Sequence, residues 1–289
     1  MPKEVFMNQI SRDELQKYMM QYQLDHTIGD LTPTVCALFG VPEPADCGAF
    51  GVAAVVDQAE HMTGKSGGIS RGLIFCPDAV GEVHRQKYPE KLARVEKLAG
   101  FRIPAASVMP SVTPVCYGTI FSGASPEVHG IRKYEKPVLT VQTLFDVFAD
   151  AGKEVAIVSV NNCSIDTIFR CRKVDYYSFR TDVQSFEMTK KLIAENKYDL
   201  IICYYTSYDH LSHKHGPYAP VSEDSLETAV CYFEELTALT DQAWQKYDRV
   251  TAWIPDHGNH VVDEHSGTHG TNTAEDMVVN HFYRLRSAE

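Results

Sequence analysis

From residue 72 onward the chain alternates short runs that are apolar throughout with longer stretches in which apolar residues recur every three or four positions. The runs GLIFC (72–76), EVAIVSV (154–160), DLIICYY (199–205) and RVTAWIP (249–255) read as strands buried on both faces, and HFYRL (281–285) reads as an edge strand. Helical spacing covers about 140–151, 182–196 and 222–247. Strands that alternate with helices of this length predict a doubly wound α/β fold, a mostly parallel sheet with helices on both faces. The first 70 residues differ. They hold a helical pattern near 11–25, a Gly/Pro-rich turn at 40–48 and a second helical pattern near 49–63. No low-complexity linker follows, so the expectation is one catalytic domain over 1–289, with 1–70 packed on it.

Such a sheet binds ligands beyond the carboxyl ends of its strands. Three runs deliver an aspartate there: Asp78 after GLIFC, Asp209 after DLIICYY and Asp256 after RVTAWIP. One strand-end aspartate reads as a turn former or a helix cap. Three on one edge, with His213 and His257 beside them and His265 and His269 in EHSGTHGT, read as chemistry. Seven of the 12 histidines fall between 209 and 269. Imidazole with carboxylate suits zinc or manganese, and six such groups serve two ions.

Two ions in one site can bind the attacking and leaving oxygens of a phosphoryl transfer, which requires a nucleophile. The stretch PSVTPVCYGTIFSG (110–123) offers Thr113. Followed by Pro114 and an apolar run, Thr113 reads as the cap of a helix. The same position, at the positive end of the helix, suits a hydroxyl that becomes anionic. RIPAASVMP before it is strand-like and puts Thr113 on the site edge if it runs parallel to the other strands.

The net charge of −11 and the lack of a basic stripe exclude long nucleic acids as partners and leave small phosphate esters. The eight cysteines form no C-x-x-C pair and read as buried small hydrophobes. MPKEVFMNQISRDELQ lacks an apolar signal core, and no run approaches the roughly 20 apolar residues that span a bilayer. A cytoplasmic protein without membrane contact is the expectation.

The motifs CPD (76–78), MPSVTP with its continuation TIFSGASPEVHGI (109–131), DHLSHKHGP (209–217), PDHG (255–258) and GTHG (267–270) resemble, in order, those of the type I phosphodiesterase/nucleotide pyrophosphatase family of the alkaline phosphatase superfamily. The resemblance implies an alkaline phosphatase-like fold. It implies one divalent ion, zinc or manganese, on Asp78, Asp256, His257 and Thr113, and a second on Asp209, His213 and His269. It makes Thr113 the nucleophile that forms a phospho-threonine intermediate, and His129 a structural residue. His215, His260 and His265 match no ligand position.

Two departures bear on the substrate. Where the family's phosphodiesterases often carry an asparagine that binds a phosphoryl oxygen, three residues after the nucleophile, this chain has Cys116, which that spacing makes a candidate substrate-binding residue. A thiol is a weak donor, so Asn161 or Asn162 is the candidate substitute, with Asn162 the first choice. Only eleven residues separate His257 from His269, where nucleotide-cleaving relatives carry a long insertion. No large cap domain is expected. DLTPTVCALFGVP (30–42) resembles a segment that superfamily members have after the last histidine ligand, which would make 1–70 a circularly permuted element; it equally reads as a capped helix with a glycine stop. The leading expectation is a two-metal phosphodiesterase or nucleotide pyrophosphatase. Phosphomonoesterase, phosphonate hydrolase and a non-catalytic metal-binding relative are the alternatives.

Overall fold

The computed structural model describes residues 3–289. Seven strands form one sheet in the order β2-β9-β6-β1-β5-β3-β4. They are β1 (Arg71–Pro77), β2 (Phe101–Ala106), β3 (Val155–Val160), β4 (Asp175–Phe179), β5 (Leu200–Tyr205), β6 (Arg249–Trp253) and β9 (Val278–Arg286). β7 (His260–Asp263) and β8 (Ser266–Thr268) make a separate antiparallel hairpin.

β6, β1, β5, β3 and β4 are mutually parallel. β9 is antiparallel to both β6 and β2, so β2 points the same way as the parallel set. The segment before Thr113 therefore ends at the same sheet edge as the strands that lead to Asp78, Asp209 and Asp256. Register aligns those ends: Phe75 lies opposite both Cys203 and Trp253, and Pro77 opposite Tyr205.

Alternate residues of each strand enter opposite apolar layers. Ile74, Cys76, Ile157, Ile202 and Tyr283 face one cluster; Leu73, Phe75, Val158, Ile201 and Phe282 face the other. Both faces are buried, which is why these strands read as unbroken apolar runs. Each large side chain buried in this way contributes roughly 1.5–3 kcal/mol. The first layer is roofed by helices Leu31–Phe39, Ala53–Thr63, Thr113–Ser122 and Leu144–Asp150, and the second by Pro89–Leu98, Asp182–Glu195 and Pro220–Ala243. The helices Leu31–Phe39 and Ala53–Thr63 are thus part of the first layer. Leu31, Val35 and Phe39 share it with Tyr283 and Leu285, Thr32 Oγ1 donates to Ile120 O at 2.7 Å, and Ala106 N donates to His26 O at 2.9 Å.

Several elements differ from the sequence expectation. HFYRL is no edge: it is the middle of β9, held on both sides, with Phe282 and Tyr283 in opposite layers. Its neighbour β2 takes one edge, and β4, whose DYYSF carries too few aliphatics to read as a strand, takes the other. The helix expected from 140 begins at Leu144, because Asp146 accepts from Thr143 N and Oγ1 at 2.8 and 2.7 Å and fixes the start there. The first helix runs Lys3–Tyr22. Among the described residues, no helix is long and apolar enough to cross a membrane.

Candidate active site

The loops at the carboxyl edge bring six of the expected ligands into two groups of three. Ligand atoms of Asp78, Asp256 and His257 all lie within 4.8 Å of one another, as do those of Asp209, His213 and His269. The first group is buried and the second is partly open. The rings of His257 and His269 stack at 3.9 Å between centroids, so the groups are immediate neighbours. His215, His260 and His265 belong to neither; His260 Nδ1 instead contacts Asp276 Oδ1 at 2.7 Å.

Backbone carbonyls set the direction of all three imidazoles. His257 Nδ1 lies 2.9 Å from Gly258 O, His213 Nδ1 3.0 Å from Gly267 O, and His269 Nδ1 2.8 Å from Ser111 O. Each Nδ1–H donates to its carbonyl and leaves the Nε2 lone pair aimed into the site. Gly258 is required by space, since a Cβ there would overlap Glu275 O. Asp78 is oriented by Tyr204, whose hydroxyl donates to Oδ2. Ala79, in the left-handed region at φ 64°, turns the chain so that its N–H donates to Asp256 Oδ1 at 3.2 Å.

Asp78 Oδ1, Asp209 Oδ1 and Asp256 Oδ2 are buried with no hydrogen-bond partner. Burial and the nearby carboxylates push the Asp78 carboxyl well above its usual range, and burial does the same to Asp256. Burial holds His257 down at about 4 and His269 at about 3, so both are neutral at pH 7. Unpaired carboxylate oxygens facing neutral imidazole nitrogens form an incomplete electrostatic arrangement that divalent cations complete. The donor set, carboxylate with imidazole, suits zinc or manganese.

Thr113 sits where the groups meet, its Oγ1 3.4 Å from His257 Nε2. It is not the helix cap. Val112 occupies the cap position with extended backbone, Thr113 is the first helical residue, and the helix has no side-chain cap bond. The hydroxyl is thereby free for the site. Both groups, through Asp78, Asp209, His213 and His269, open with Thr113 into a cavity of about 560 Å³. Asn161 and Asn162 line it, whereas Cys116 is fully buried with its thiol 3.3 Å from Ser107 Oγ, and offers the cavity no donor. Tyr134, Lys136 and Tyr204 also line the cavity and were not singled out by the sequence. Tyr204 becomes visible only once register sets it beside Cys76.

His129 is buried against the helix Thr113–Ser122, with Nε2 3.1 Å from Thr119 Oγ1 and Nδ1 accepting from Ile131 N at 3.2 Å. Its ring lies on Gly118, where a Cβ would come within 2.9 Å of the imidazole. Gly118→Ala should destabilise the fold by about 1–3 kcal/mol through overpacking, against the ~1 kcal/mol that helix propensity alone would gain. Denaturant unfolding measures the sign directly, and a net gain would mean that the ring shifts freely.

A sequence model of the type I phosphodiesterase/nucleotide pyrophosphatase family matches residues 86–266, more than half of the chain. The chain belongs to this family. The match excludes Asp78 and His269, which complete the two groups from either side of it. No curated protein sequence matches the chain. Among solved structures it is similar to phosphonoacetate hydrolase from Sinorhizobium meliloti in complex with phosphonoacetate, at TM-score 0.50 and 20% identity over 68% of this chain and 59% of that one. Murine ectonucleotide pyrophosphatase/phosphodiesterase 5, inactive and in complex with AMP, aligns at TM-score 0.54 and 16% identity over 68% and 59%. The C-terminal periplasmic domain of a phosphoethanolamine transferase from Campylobacter jejuni aligns at 0.54 and 12% over 75% and 80%. The chain thus spans less than two thirds of the first two relatives. At these identities the likeness establishes the alkaline phosphatase-like fold and nothing finer.

Proposed function

We propose that the chain is a two-metal phosphodiesterase or nucleotide pyrophosphatase for small molecules, with residues 1–289 acting as one catalytic domain. The observation that carries the reading is the meeting of two three-residue ligand groups, each with an unpartnered carboxylate oxygen, at the free hydroxyl of Thr113. Asp78, Asp256 and His257 with Thr113 would hold one ion, and Asp209, His213 and His269 the other, zinc being the first choice and manganese the second. When bound, the ions supply Lewis acidity that favours an ionised hydroxyl and offsets charge on the phosphoryl oxygens.

Thr113 Oγ1 forms the new bond to phosphorus as it loses its proton to solvent. The bond to the leaving oxygen breaks, and that oxygen keeps the electron pair. Water then attacks the phospho-threonine and restores the hydroxyl. Asn162, or Asn161 beside it, takes the phosphoryl oxygen contact that Cys116 cannot make. The cavity of about 560 Å³ suits a small ester, not a polymer.

A chromogenic panel of phosphodiesters, phosphomonoesters and phosphonates, assayed with added zinc or manganese, tests this. Diesters should be cleaved fastest. Faster cleavage of monoesters or phosphonates moves the assignment within the superfamily, and no cleavage of any class by metal-loaded protein makes the chain a non-catalytic metal binder.

A further inference from the structure

We infer that Lys136 is a specificity residue that selects substrates carrying a second anionic group, a carboxylate or a further phosphate, beyond the phosphorus under attack. The inference rests on the phosphoester-hydrolase reading of the same cavity. Among the described residues that line the cavity, Lys136 is the one lysine or arginine; Asp78, Asp209, His213 and His269 line it too. Lys136 is half-buried and approaches the ring of Tyr134, 5.6 Å from its centroid.

Its Nζ donates to Asn162 O at 2.8 Å, which uses one of three N–H donors and leaves two for a ligand. Bracing the loop does not need the lysine. Asn162 sits in the left-handed region at φ 60°, Asp166 accepts from its N–H at 2.8 Å, and Asn161 N donates to Phe179 O at 2.7 Å. The loop is therefore fixed from the protein side, and the cation it steadies faces the cavity. In a chain of net charge −11, a substrate with two anionic groups meets general repulsion. A lysine beside the cavity reverses that locally for the group remote from the reacting phosphorus.

Calorimetric titration of the zinc-loaded protein with phosphonoacetate and with its uncharged-tail counterpart, phosphonoacetamide, tests the inference, since both carry the same phosphonate. The wild type should bind the carboxylate form about tenfold more tightly or better. Lys136→Gln should bring the ratio close to one, and Lys136→Arg should keep most of it. A purely structural lysine would weaken both probes alike and preserve the ratio. Equal binding of the two by wild type, or an unchanged ratio in Lys136→Gln, overturns the inference while leaving the hydrolase reading intact. If neither probe binds, the metal-site reading fails and takes the inference with it.

Discussion

Thr113→Ala should lower hydrolysis of the best panel substrate by about a thousandfold or more, the scale expected if the proposed covalent nucleophile is removed. The fold and both proposed ions should survive, because Asp78, Asp256 and His257 make up one candidate ligand group without the threonine and Asp209, His213 and His269 make up the other. Stability hardly changes. A true cap threonine would cost roughly 1 kcal/mol on truncation, but Val112 holds the cap position and Thr113 makes no capping bond. Thr113→Ser, which keeps a hydroxyl, retains part of the rate. Near wild-type turnover in the alanine variant would rule out the covalent route. A loss of turnover accompanied by unfolding would instead mean that Thr113 holds the helix start.

Stripping divalent ions should remove activity and stability together. Without cations, three carboxylates with unpartnered buried oxygens share one site, and burial already pushes Asp78 and Asp256 toward binding protons. Ions that bind the folded chain alone stabilise it by about 4 kcal/mol per site at a thousand times the dissociation constant. Chelation should therefore lower the unfolding midpoint by several degrees at least, and added zinc or manganese should restore it. Elemental analysis beside calorimetry decides the matter: an unchanged midpoint in protein shown to be metal-free would mean that the two groups hold no ion.

How far the sequence carries the site depends on the range of the interaction. The carboxylates Asp78, Asp209 and Asp256 were legible because each comes soon after the carboxyl end of a strand that is buried on both faces, and such strands announce themselves as apolar runs. Thr113 was legible from its Pro114 neighbour, but its exact helical position was not. One residue decides whether the hydroxyl caps or faces the site, and propensities do not resolve a boundary that finely. Cys116 illustrates the opposite error: spacing from the nucleophile suggested the site, while packing against Ser107 turned the thiol into the core.

Tyr204, Tyr134 and Lys136 were invisible for a different reason. Their roles exist only after strand pairing and loop packing set them around the cavity. HFYRL was misplaced because an antiparallel strand between two neighbours and an edge strand can carry the same short apolar run, and the sequence does not say who pairs with it.

The position of β9 has a consequence for the order in which a chain emerging from the ribosome can mature. β2, which leads to the nucleophile, reaches the sheet through β9 alone, some 170 residues later in synthesis. A nascent chain can assemble β1, β5 and β6 with their aspartates and still lack the strand that pairs β2 into the sheet. A ribosome halted before residue 278 thus carries Asp78, Asp209 and Asp256 while β2, the strand that precedes Thr113, still lacks its one partner in the sheet.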